Sequence, residues 1–181
     1  MSTNAKKNDS IKSLIVLFAI CLVIAVAMAA VNLVTAPKIA DAEAAAEQEA
    51  LSTVLSYADG FVKLEGDYPE SVTAVYRASN GCGYAVMLAA KGYDSSKPMS
   101  IAVGFDTEGK LVGCHVVSAS GETSGIGTKV TEDAFLSQFI GKNASLDGVD
   151  AISGATISSS AFIEAVQDAF VAVETAKEAQ G

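Results

Sequence analysis

The hydrophobic positions follow three successive patterns along the chain. From Ser13 to Ala36, SLIVLFAICLVIAVAMAAVNLVTA, 24 residues pass without a charge. At about 1.5 Å per residue this run reaches roughly 36 Å, enough to cross a hydrocarbon core of about 30 Å with some tilt. It predicts a retained transmembrane helix, because its apolar part exceeds the roughly 7 to 15 residues of a cleaved signal peptide. Pro37 is expected to break the chain just past the membrane surface. Lys38 to Leu55, KIADAEAAAEQEALSTVL, is rich in Ala, Glu and Gln. It predicts a largely solvated helix whose apolar face is confined to Leu51, Val54 and Leu55.

The second pattern alternates. Ser71 to Ala78 (SVTAVYRA), Gly83 to Ala90 (GYAVMLAA), Met99 to Phe105 (MSIAVGF) and Lys110 to Val117 (KLVGCHVV) read as strands, with a shorter one at Phe61 to Leu64. Asn80-Gly81 joins the first pair and Asp106 to Gly109 the last, so the sheet should be antiparallel. A turn-rich loop, Ser118 to Lys129, leads to a short helix that Thr131 can cap and Gly141 ends. The third pattern is helical: Phe162, Ala165, Val166, Ala169, Phe170 and Val173 fall on one face of a last helix, which should lie across the sheet. The predicted class is α+β, an N-terminal transmembrane helix followed by an antiparallel sheet packed with helices.

Charge narrows the partners. The formal net charge is −9, and from Lys38 onward 9 basic residues face 20 acidic ones. Nothing in such a chain offers a stripe for nucleic-acid phosphates. Lys6, Lys7 and Lys12 precede the apolar run, which puts the N-terminus in the cytoplasm and the remainder outside. Cys21, Cys82 and Cys114 lack metal-type spacing, so no metal site is expected, and Cys114 alternates with Val112 and Val116 as a small apolar strand residue would. The lone histidine, His115, lies in a predicted strand, and no G-x-S-x-G elbow accompanies it, so no catalytic residue is assigned.

The candidate chemistry lies just ahead of the last helix, in DAISGATISSSAF, Asp150 to Phe162. A helix N-terminus leaves backbone N–H groups unpaired and carries partial positive charge, and a glycine lets a ligand approach the backbone. Ser153-Gly154-Ala155-Thr156 therefore suits a phosphate seat. The plainer alternative makes Ser153 or Thr156 an N-cap and leaves Ser158 to Ser160 as a solvated first turn.

The stretch Asp150-Ala151-Ile152-Ser153-Gly154-Ala155-Thr156 resembles the D-x-x-[ST]-G-A-T flavinylation motif of FMN-binding domains. That motif occurs in the G subunit of Rnf-type complexes and in the C subunit of sodium-pumping NADH:quinone oxidoreductases. The loop Glu122-Thr123-Ser124-Gly125-Ile126-Gly127 resembles a second family pattern, E-T-P-G-L-G, with Ser124 for Pro and Ile126 for Leu. The short length and layout favour the Rnf protein. The resemblance implies covalent FMN esterified through its phosphate to Thr156, with Ser153, Gly154, Ala155, Asp150, Glu122, Thr123, Gly125 and Gly127 around it. It implies that a separate flavin transferase makes the bond, with Asp150 serving recognition or holding the turn.

The implied organisation is a cytoplasmic N-terminus (1–12), the transmembrane helix (13–36), a connecting helix (37–58) and an extracytoplasmic FMN-binding domain (59–181). The implied function is electron transfer inside a cell-membrane complex whose ferredoxin:NAD chemistry is coupled to sodium or proton translocation, with other membrane subunits as partners. The chain would be a redox subunit of that oxidoreductase, not catalytic alone. Two alternatives stand beside it. One is an anchored flavoprotein of a sodium-pumping NADH:quinone oxidoreductase or another extracellular electron route. The other is a pilin-like structural subunit, although the chain lacks a Gly-Phe processing site and a Glu near the start of its apolar run.

Overall fold

A computed structural model describes residues 3–179. Met1, Ser2, Gln180 and Gly181, the extreme ends of the expected N-terminal segment and domain, lie outside the described residues. The chain divides into two units, Met1–Ala45 and Ala46–Gly181.

The first unit is helical. Helix α1 runs Thr3–Val54 and contains Pro37 in its interior. The expected break at Pro37 is therefore absent. Proline removes one N–H and crowds the carbonyl four residues earlier. The helix-favouring Ala, Leu and Lys neighbours continue the helix past that single lost bond. The apolar part of α1 has a mean hydropathy of 3.2 with none of it buried, long and apolar enough to cross a membrane once. Leu14, Ile20, Val26 and Leu33 stand exposed along it, an apolar surface suited to lipid.

In the second unit, five strands form an antiparallel meander in the order β1-β2-β3-β4-β5. They span Phe61–Leu64, Val72–Ala78, Gly83–Ala90, Met99–Asp106 and Leu111–Ser118, where the alternation placed them. Gly81 and Gly109, both with positive φ, close the two tight hairpins.

Alternation assigns the two faces of this sheet. Val86, Leu88, Ile101, Val103 and Phe105 point to one side and pack against the last helix. That helix, α3, spans Thr156–Glu178, and the six residues of its expected stripe are all at most 5 % exposed. Burying each Phe or Val of that stripe contributes about 1.5–3 kcal/mol. Phe105 meets Phe170 edge-on at 4.8 Å, and Phe135, Phe139 and Phe162 form a second aromatic group.

The other face carries small residues, Ala74, Ala85 and Ala102, under Ala50, Leu51 and Val54 from the end of α1. Paired Gly104 and Gly113 make this contact close: a Cβ on either would come within 2.3 or 2.2 Å of the Val54 carbonyl oxygen. Tyr76 Oη donates to Glu47 Oε1 at 2.6 Å and ties the same stretch to β2. The expected apolar last turn is thus the part of the connecting helix that packs.

The short helix expected after the loop is broken into turns. A 3-10 turn at Gly127–Thr131 precedes α2, Asp133–Leu136, and a second follows at Ser137–Phe139. Thr131 does not cap α2; its hydroxyl donates to the Thr128 carbonyl at 2.8 Å, and Glu132 stands at the N-cap. Tightening to i→i+3 bonds, as from Ile140 N to Ser137 O, accompanies the burial of Phe135 and Phe139 against Phe162. Cys82 and Cys114 are free thiols, and burial pushes the Cys114 thiol up from its ordinary value.

Candidate functional site

The start of α3 is built by a turn. Ala155 N–H donates to the Ile152 carbonyl at 3.0 Å, and Gly154 has φ +82. This is a type II turn with Gly154 at its third position, where an L side chain would be strained. Nothing lies within 4 Å of where a Gly154 Cβ would stand, so the turn presents open space. Ala155 is the N-cap, makes no side-chain cap bond and is buried, while Thr156 is the first helical residue and exposed.

Neither Ser153 nor Thr156 caps the helix, contrary to the plainer sequence reading. Ser159 locks the turn instead. Its hydroxyl donates to the Ala155 carbonyl at 2.9 Å and accepts from Ile152 N–H at 3.1 Å. Ser158 and Ser159 are 3 % and 0 % exposed. The expected solvated first turn is therefore corrected: these hydroxyls are buried and bonded.

The Gly-rich loop repeats the same device. Ile126 N–H donates to the Thr123 carbonyl at 3.1 Å, and Gly125 has φ +74, a second type II turn with Ser124 at its second position. That position favours Pro, and Ser124 leaves the turn formed. Gly125 N–H also donates to Thr128 Oγ1 at 2.9 Å. Gly127 is needed for another reason. A Cβ there would come within 2.8 Å of Glu122 Oε2 and 2.9 Å of Ser158 Oγ.

Glu122 gathers three segments. Its carboxylate accepts Tyr93 N–H at 3.1 and 3.4 Å, and Ser158 Oγ donates to its Oε2. It is 8 % exposed. The β3–β4 loop, the Gly-rich loop and the first turn of α3 are thereby held around one carboxylate.

The result is a cleft of about 390 Å³ at the α3 start, with Thr123, Gly127, Gly154, Ala155 and Thr156 in its wall. Tyr93, Ile126 and Ile157 complete it with apolar surface that is half exposed or more. Ser153 and Gly125 belong to the two turns, not the wall. Asp150 is exposed and lines an adjoining groove with Lys129, Gln138 and Ile152. Its N–H donates to Gln138 Oε1 at 2.9 Å. Holding the 152–155 turn falls to Ser159 and not to the Asp150 carboxylate.

Residues 92–171 match the FMN-binding domain family, and residues 1–54 match the RnfG N-terminal region. The chain is also 28 % identical over 165 residues, 86 % of each chain, to the G subunit of the proton-translocating ferredoxin:NAD(+) oxidoreductase complex of Clostridium ljungdahlii. The chain is a homologue of RnfG. Both family matches fall on the elements described above: the N-terminal one covers α1, and the FMN-binding one runs from Gly92 to Val171, enclosing the Glu122 clamp, both type II turns and Thr156.

The sequence pattern of this RnfG homologue does not mark Tyr93, Ile157, Ser158 or Ser159 as site residues. Tyr93 sits in the connection between alternating strands, where periodicity carries no signal. The serines of α3 looked like surface because their partners, Glu122 and the turn backbone, are remote or main-chain.

Proposed function

We propose that this chain is the FMN-carrying electron-transfer subunit of an Rnf-type membrane complex, with FMN esterified through its phosphate to Thr156. The observation that carries the reading is Thr156 itself, exposed at the uncapped start of a 23-residue helix and set in the wall of the cleft. An uncapped helix start accommodates the single charge of a phosphodiester, and the open, positive-φ Gly154 leaves the approach to the hydroxyl free. Tyr93, Ile126 and Ile157 offer apolar surface for a flavin ring.

FMN, when bound, supplies the one- and two-electron chemistry. The chain's part is to present the Thr156 hydroxyl to a flavin transferase, hold the turn through Ser159, and fix the surrounding loops through Glu122. Asp150, exposed at the first position of the motif, is assigned to recognition by that transferase. Lys6, Lys7 and Lys12 support an orientation with the N-terminus in the cytoplasm and the 59–181 domain outside. A covalent tether suits a flavin held where no cytosolic pool can replace it. Other subunits of the complex would exchange electrons with this domain, in ferredoxin:NAD chemistry coupled to sodium or proton translocation.

The test is co-expression with a flavin transferase followed by a denaturing gel. Flavin fluorescence should run with the wild-type band and vanish in Thr156→Val. Fluorescence that survives the substitution would remove Thr156 as the attachment point.

A further inference from the structure

The wall of the Thr156 cleft carries no charged side chain: Tyr93, Thr123, Ile126, Gly127 and residues 154–158 are all neutral. Directly behind it lies the carboxylate of Glu122. Glu122 makes hydrogen bonds at both carboxylate oxygens, with Tyr93 N–H and with the Ser158 hydroxyl. Ser158 belongs to the first turn of α3, so this buried carboxylate already complements the positive end of that helix. Gly127, also in the wall, comes so close that a Cβ would meet Glu122 Oε2 at 2.8 Å.

A phosphate arriving at this end therefore meets a helix terminus whose favourable field is partly cancelled, with a like charge just behind the wall. A phosphate monoester carries close to two negative charges at neutral pH. Esterified to a threonine it becomes a diester and keeps one. The repulsion falls on attachment, and it falls most for the form that is covalently held.

We propose that Glu122 sets the cleft's specificity against free flavin phosphate: the cleft grips a flavin by its ring, through Tyr93, Ile126 and Ile157, and retains the phosphate only through the ester bond. This rests on the reading of Thr156 as the acceptor. A site so arranged is filled by the transferase and not by scavenging loose FMN.

The test uses the full-length chain in detergent, carrying Thr156→Val and produced without a transferase. It is titrated with FMN and with riboflavin, which has the same ring and no phosphate, and followed by quenching of flavin fluorescence. Riboflavin should bind at least as tightly as FMN. Adding Glu122→Gln should tighten FMN relative to riboflavin about two- to fivefold, the reach of a helix-terminus charge.

FMN binding tenfold tighter than riboflavin would overturn the proposal, as would failure to hold either flavin. An equal change for both ligands on Glu122→Gln would overturn the role of Glu122. Should that variant not fold, the FMN-to-riboflavin ratio in Thr156→Val alone decides the selectivity. The covalent reading fails separately, by a fluorescent denatured band in Thr156→Val after co-expression with a transferase, and that result leaves the titration interpretable.

Discussion

Glu122 and Ser158, 36 residues apart, meet as a buried carboxylate and a buried hydroxyl that join the Gly-rich loop to the first turn of α3. Tyr93 N–H is the third member of the clamp. Replacing Ser158 with Ala removes a donor to a charged group in a buried place, which costs about 1–3 kcal/mol. Urea unfolding of the full-length chain in detergent should show that loss, with flavin incorporation reduced and not abolished. An unchanged midpoint would mean the clamp does not hold the loop.

The two loop glycines should separate by mechanism. Gly125→Ala meets nothing within 4 Å but must adopt φ +74, a strain of about 1–2 kcal/mol. Gly127→Ala places a methyl between Glu122 and Ser158, so it must also displace paired groups. The second variant should lose more stability than the first and more of its flavin when produced with a transferase. Equal losses would contradict the steric reading.

Ser124→Pro should stabilise. Ser124 holds the second position of a type II turn, where Pro is favoured, and pre-setting such a position gains about 0.4–1 kcal/mol by restricting the unfolded chain. Thermal unfolding should rise by a few degrees, with flavinylation intact. A fall would show that the Thr123–Ile126 turn is not the one described.

Tyr76 gives a pH dependence. Burial and the bond to Glu47 push its phenol up to about 12. The neutral phenol is thus favoured in the folded chain. Its contribution is fully present below about pH 10 and is lost as pH rises from about 10 to about 12. Tyr76→Phe should cost about 1 kcal/mol near neutral pH, the worth of one hydrogen bond, and flatten this alkaline limb. The measurement is unfolding free energy against pH for both proteins.

What the chain's own pattern reveals, and what it hides, divides along a physical line. The α3 stripe was readable because that helix buries one face and burial writes itself into period 3.6, whereas β3 and β4, buried on both faces, stood out as short β-like apolar runs between turn residues. Gly154 and Gly125 were readable as special, though only the structure shows both turning the chain in one geometry. What stayed hidden depends on remote partners. Ser158 resembles a surface serine until Glu122 is placed beside it, and Ser159 until its hydroxyl closes the Ile152–Ala155 turn. Pro37 misled for a related reason, since a single missing N–H bond is a local cost that helix-forming neighbours on both sides outweigh. The segment after Val130 misled because packing Phe135 and Phe139 under Phe162 shortened a helix that propensity alone would extend.

The central claim is that Thr156, among the hydroxyls of this motif, holds the cofactor. Protease digestion and mass spectrometry of the full-length chain, co-expressed with a flavin transferase, test it most directly. The account predicts the mass of one phosphoester-linked FMN on the peptide containing Thr156, with fragment ions assigning it to that residue and with Ser153, Ser158, Ser159 and Ser160 unmodified. FMN mass on any of those serines, or a fully unmodified peptide under the same co-expression, would contradict it.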